Sequence, residues 1–189
     1  MSASGKSGYA WLALLLIAVL AVWTPTHAES DALVSKEYQI KAAFLYNIPK
    51  FVEWPATSFA TASDPIVIGL FGNSPFGNQL EIIVKDRKIN GRDIVVKHIT
   101  KVDDVKTLHV LFLSAADDQQ FATIKAVIQN SPVLMVGEST KFADAGGTVD
   151  FVLVGDKVRF EINMAAAERA GLKISSQLQK LATTIRRSP

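Results

Sequence analysis

The chain has 189 residues, 49% of them hydrophobic, and a formal net charge of +2, which fits one domain with a core of its own. It contains no cysteine, which excludes disulfides, thiolate catalysis, iron–sulfur clusters and cysteine-ligated zinc. Basic residues are interspersed with acids and the one run, Arg186-Arg187, stands at the tail, so the basic stripe of a nucleic-acid binder is missing.

Residues 1–28 read as a secretory leader. Lys6 supplies the charged start, an apolar run extends from Tyr9 to Trp23, and Thr24-Pro25 leads into the small-residue site Thr26-His27-Ala28, the plan of a cleaved signal peptide. A run of about 15 residues is short of the roughly 20 that a membrane-spanning helix needs. The expectation is export to the periplasm and a single α/β domain over residues 29–189.

Ser35 is placed to cap a helix through Tyr46, with Ile40, Phe44, Leu45, Ile48, Phe51 and Val52 at helical spacing, interrupted at Pro49 and stopped at Pro55. The apolar run Ile66–Phe71 predicts a strand buried on both faces. Ser74-Pro75 then predicts a helix start, with Phe76, Leu80, Ile82, Ile83 and Val84 in the helix. Further strands are expected at 94–96, after an Asn90-Gly91 turn, at 110–113 and at 133–136. Asp117 or Asp118 opens a helix carrying Phe121, Ile124, Val127 and Ile128, and a short helix is expected around Phe142. Thr148–Val154 and Lys157–Asn163, joined by Gly155-Asp156, predict a hairpin. Two helices close the chain, Met164–Ala170 ended by Gly171, and Ser175 to about Ile185. The class is α/β: a central, mostly parallel sheet flanked by helices, with a C-terminal antiparallel hairpin and two closing helices.

The chemistry-bearing residues form no catalytic set. Gly72-Asn73-Ser74-Pro75-Phe76-Gly77 has glycines at phosphate-loop spacing, but Asn78-Gln79 replace the Lys and Ser/Thr that would reach phosphate and metal. His98 and His109 lie 11 residues apart, in no ligand spacing. Ser114 follows a strand without the Gly-x-Ser-x-Gly elbow. Asp103-Asp104 and Asp117-Asp118 read as turn and cap carboxylates. No cofactor or metal site is expected. In the second hairpin strand Lys157, Arg159, Glu161 and Asn163 alternate with Val158, Phe160 and Ile162, so by strand period the polar side chains share one face. That face is either solvated or a partner surface. Trp54, among Phe51, Pro49, Pro55 and Phe59, is either core or an interface anchor, since Trp is enriched among binding hot spots.

Several segments resemble the YfiR-like family of periplasmic proteins. They are Glu37-Tyr38-Gln39-Ile40-Lys41-Ala42-Ala43-Phe44-Leu45-Tyr46-Asn47, Phe51-Val52-Glu53-Trp54-Pro55, Ile68-Gly69-Leu70-Phe71-Gly72 with Pro75-Phe76-Gly77, Gly146-Gly147, and Val158-Arg159-Phe160-Glu161-Ile162-Asn163. They continue through Ala170-Gly171-Leu172-Lys173-Ile174-Ser175-Ser176 and Leu178-Gln179-Lys180-Leu181-Ala182. The resemblance implies a sheet between helices, no catalysis, and a repressor that binds the periplasmic sensor part of an inner-membrane diguanylate cyclase. It also implies an outer-membrane lipoprotein that sequesters the repressor, with biofilm and motility as output. Other membrane sensors, including histidine kinases, remain open as partners, as does a homodimer. The family's redox response does not carry over to a chain without cysteine. Trp54, Arg159, Glu161 and Asn163 are the expected contact residues. The alternative function is a small-ligand-binding sensor with its pocket edge at the Gly72–Gly77 turn.

Overall fold

The computed structural model describes residues 26–187; residues 1–25 of the expected leader lie outside the described residues. The chain divides into two units, of which the second begins at Glu37 and carries the sheet and its helices.

Helix α1 (Thr26–Asn47) runs through Ser35, so Ser35 is not its cap as the sequence suggested. Within the second unit its buried side is formed by Lys41, Ala42, Leu45 and Tyr46, at the spacing of one helical face. Pro49 ends regular helix as expected: Ile48–Phe51 is a single 3-10 turn, leading into β1 (Val52–Glu53).

The sheet is built from β2 (Ile66–Phe71), β3 (Lys88–Ile89), β4 (Arg92–Ile99), β5 (Val110–Leu113), β6 (Leu134–Gly137), β7 (Val149–Val154), β8 (Lys157–Asn163) and, after the two-residue β9 (Lys173–Ile174), β10 (Thr184–Arg186). Their order is β10-β8-β7-β6-β5-β2-β4-β3, while β1 and β9 form a separate two-stranded pair. β4, β2, β5, β6 and β7 are parallel to one another. The β7–β8 hairpin is antiparallel, as expected, and β10 runs parallel to β8. The α/β class with a mostly parallel sheet is therefore as read from sequence.

Helices α2 (Gln79–Val84), α3 (Asp118–Val127), α4 (Met164–Arg169) and α5 (Ser176–Leu181) complete the fold. Two apolar layers sandwich the sheet. One joins Ala42, Leu45, Leu80 and Leu178 to Ile68, Phe112, Val136 and Phe160; the other joins Ile124 of α3 and Ile128 just after it to Leu111, Leu113, Met135 and Phe142. The Phe44 ring lies tilted to Phe151 and edge-on to Phe160, at 6.2 and 5.6 Å between centroids.

Several elements depart from the sequence reading. Phe76 lies in a turn before α2, buried in the core, and the helix starts at Gln79. Lys88–Ile89 pairs with β4 across Asn90-Gly91, both at positive φ (51° and 82°), so the turn is where the sequence put it but is preceded by a short strand that the reading did not include. Phe142 stands in turns, not a helix. Its ring fills space that Cβ atoms at Gly137 and Gly147 would occupy, 2.5 and 2.0 Å away. The final helix stops at Leu181, and Thr184–Arg186 instead covers the free edge of β8, where an open strand would otherwise invite pairing with another chain.

Candidate functional site

In the parallel sheet, chain order runs from β2 outward to β4 on one side and to β5, β6 and β7 on the other. Such a reversal leaves a crevice at the carboxyl ends of the strands, where α/β folds place ligands. Here that edge is occupied by the protein's own polar groups. Gly72 follows β2 at φ +67°, and a Cβ on it would lie 2.3 Å from Asp117 Oδ1. Ser114 Oγ donates to Asp117 Oδ2 at 2.6 Å. An anion held at the Gly72–Gly77 turn would face this carboxylate, and the residues of that turn line none of the clefts described below.

Beside it, α1 places Lys41 under the end of β6. Lys41 Nζ donates to Glu138 Oε2 at 2.6 Å, with the two side chains 6% and 5% exposed, and also pairs with Glu37 one turn earlier. Tyr38 Oη donates to Glu138 Oε1 at 2.9 Å. Burial, with Glu138 alongside, pushes the Tyr38 phenol well above its usual range, so it remains a donor. The backbone N–H of Ala115 adds a 3.3 Å bond to Glu138 Oε1. A buried carboxylate with this set of donors is stable only as a complete network.

A cleft of about 460 Å³ joins this network to the hairpin, with Glu37, Lys41 and Glu138 at one end and Asp144, Asp150, Glu161 and Arg186 at the other. Register places Asp150 opposite Glu161, Val152 opposite Arg159 and Val154 opposite Lys157. Glu161 is half-buried and tied down: Arg186 Nη1 donates to its Oε2, and Thr184 Oγ1 donates to its Oε1 at 3.0 Å. Arg186 Nε also donates to Asp144 Oδ1 at 2.6 Å. Hydrogen bonding to Glu161 raises the Arg186 pKa further above its ordinary value.

Asn163 is buried and plays a local role. Its Oδ1 accepts from Ala166 N at 2.9 Å, capping α4, and its Nδ2 donates to Ala143 O at 2.7 Å. Asp150 is 3% exposed. Oδ2 accepts a 3.3 Å bond from Ala143 N, and Oδ1 is buried with no partner among the described residues. Burial, opposed by the Ala143 bond and assisted by Glu161, pushes its pKa up to about 6.

The four contact residues expected from sequence are therefore not one flat patch. Arg159 is exposed, Glu161 is half-buried and paired, and Asn163 is enclosed. Trp54 is half-buried against the first apolar layer, edge-on to His109 at 6.3 Å, with its Nε1 buried and without a partner among the described residues. His109 opens into β5, which β6 and β7 separate from β8, roughly 14 Å at about 4.8 Å per strand. His109 itself is structural. Val67 N donates to its Nδ1 and its Nε2 lies 3.1 Å from Ser58 O, which selects the Nε2–H tautomer. Burial lowers its pKa. His98 is exposed beside Glu81, 2.8 Å away. Among the described residues no group of three or more His, Cys, Asp or Glu is placed to hold a metal ion.

Lys41, Glu138, Asp144, Asp150 and Arg186 were not picked out from sequence. Two signals were there to read: a lysine between Ile40 and Ala42 on the buried side of an amphipathic helix, and a lone acid inside the apolar run Val149-Asp150-Phe151-Val152.

The sequence profile of the YfiR/HmsC-like proteins matches residues 38–183, from the Tyr38 that bonds Glu138 to the threonine before β10. The chain belongs to the YfiR/HmsC-like family. The family is regulatory, acts in cyclic-di-GMP signalling together with membrane signalling partners, and is periplasmic. No curated protein matches the chain. Among solved structures it is similar to a conserved domain protein from Vibrio cholerae O1 biovar El Tor, with TM-score 0.54 and 12% identity. It is also similar to the ABC domain in complex with L-Trp from Streptococcus pneumonia, with TM-score 0.51 and 12% identity. In each case 79% of this chain is covered, and it spans 60% of the other chain's length. At that identity the likeness concerns the fold alone. Among the described residues no helix is long and apolar enough to cross a membrane.

Proposed function

We propose that this protein is a non-enzymatic periplasmic regulator, released from its leader near residue 28 and working as one domain over residues 29–189. It binds and represses the sensor part of an inner-membrane diguanylate cyclase. Family membership across residues 38–183 is the observation that carries this reading.

The hairpin is the contact surface best suited to it. Leu153 and Val154 are large apolar residues left 56% and 55% exposed at its tip, next to the exposed Lys157 and Arg159. An apolar centre with a cationic rim is the composition of a specific protein interface. Glu161, held by Arg186, and Asn163, which caps α4, fix the base of the hairpin and so its angle of presentation. Trp54, half-buried against the first apolar layer, is a second contact point.

Co-purification from periplasmic membranes after crosslinking tests the proposal. The native chain should capture a membrane sensor with a cyclase domain, and Glu161→Lys, which sets a like charge against Arg186, should weaken that capture about tenfold or more, the loss of one charge-assisted bond. Undiminished capture by Glu161→Lys removes the hairpin base from the interface. Unchanged cyclic-di-GMP on deletion of the gene in an expressing strain counts against a cyclase as partner.

A further inference from the structure

The largest cleft described lies elsewhere, on the α3 side of the sheet, and has a volume of about 550 Å³. It opens because the facing helices present small side chains. Ala122 and Ala126 of α3 stand one turn apart, as do Ala166 and Ala170 at α4, so neither helix closes the gap over β6 and β7. Met135 of β6 and Thr148, the residue before β7, are both buried and line it.

The charged lining is of one sign. Lys125 and Arg169 reach the cleft and no carboxylate lines it; neither cation is in an ion pair among the described residues. Lys125 is also positioned. Its Nζ donates to Ala145 O at 2.7 Å, and a Cβ at the next residue, Gly146, would lie 2.7 Å from that same nitrogen. Gly146 is at φ +108°, a conformation that side chains other than glycine's resist. The backbone thus makes room for the lysine, which keeps two of its three donors for another acceptor.

From this geometry we infer that the cleft between α3 and α4 binds a small amphipathic anion, its carboxylate- or sulfonate-like head between Lys125 and Arg169 and its apolar body over Met135 and the alanines. The volume is within the range of small-molecule sites, about 300–1,000 Å³. Apolar side chains with two cations on the same lining favour an amphipathic anion over a bare inorganic one. The inference is independent of the hairpin interface and adds a ligand to a regulator whose proposed partner is a protein.

The probe is 8-anilinonaphthalene-1-sulfonate, an amphipathic anion that fluoresces on leaving water, titrated into protein purified from its native host. Saturable one-to-one binding is expected. Lys125→Ala combined with Arg169→Ala should weaken it about tenfold or more, the scale of a lost charged contact, while the neutral N-phenyl-1-naphthylamine binds both proteins alike. Ala126→Leu, at an exposed helix position, should block both probes by filling the cleft. Octanoate should displace the sulfonate and inorganic phosphate at equal concentration should not. Absence of saturable binding to the native protein overturns the inference, and so does unchanged affinity in the double-alanine variant or in Ala126→Leu. Equal displacement by phosphate overturns the amphipathic class. Circular dichroism of each variant confirms that loss of binding is not loss of fold.

Discussion

Replacing Asp150 by Asn should change stability in a way that depends on pH. Asp150 is enclosed, with one oxygen unpartnered, and its pKa stands near 6, against about 3.9 in an unfolded chain. A raised carboxyl pKa means that the folded state holds the proton more tightly than the unfolded one. Stability from this group is therefore fully present below about pH 4 and is lost as pH rises through about 6, after which the penalty is constant. Two units correspond to roughly 3 kcal/mol. Asn keeps an acceptor for Ala143 N but adds a buried amide with no evident partner, at a cost of about 1–3 kcal/mol that does not vary with pH. The stability of Asp150→Asn minus that of the native protein should accordingly rise by roughly 2–3 kcal/mol between pH 3.5 and 7.5. At about 2–4 °C per kcal/mol for a domain of this size, the gap in melting temperature should move by about 4–12 °C in favour of the variant. Urea unfolding at a series of pH values measures the difference directly. A difference constant within about 0.5 kcal/mol across that range, well below the expected change, would show that Asp150 is hydrated or paired in solution and refute the reasoning.

Lys41→Met should cost about 3–5 kcal/mol, because it strands the buried Glu138 carboxylate, and the double change Lys41→Met with Glu138→Leu should recover most of that loss. Chemical denaturation of the three proteins checks this; equal stabilities for single and double variants would mean that the pair is not buried in solution. For His109 the folded pKa is depressed, so its contribution is fully present above about 6.5 and is lost as pH falls below that value. Its imidazole resonances should titrate with a midpoint below about 6.5, and a midpoint above that would contradict the Val67 N–H to Nδ1 bond.

Much of the architecture was legible because its causes are local. The apolar run Ile66–Phe71 can only be a strand covered on both faces, Gly155-Asp156 suits a tight hairpin, and Ser175 caps α5 through Leu178 N as a serine before a helix should. The family motifs were readable for the same reason, since they lie in contiguous segments. Elements were missed where a long-range contact outweighs propensity. Thr184–Arg186 continues a helical stretch in sequence, yet becomes a strand because β8 offers an unpaired edge and Glu161 and Asp144 offer carboxylates to Arg186.

Sequence alone determined the α/β class, the absence of thiol chemistry, the buried strands and the family, all consequences of residue type, spacing and short-range order. Tertiary structure decided which polar residues matter together. Lys41 and Glu138 are 97 residues apart, and Asp150, Asp144, Glu161 and Arg186 come from four different segments. The energy of a buried charge depends on what surrounds it in space, and only the packed sheet brings those surroundings into contact.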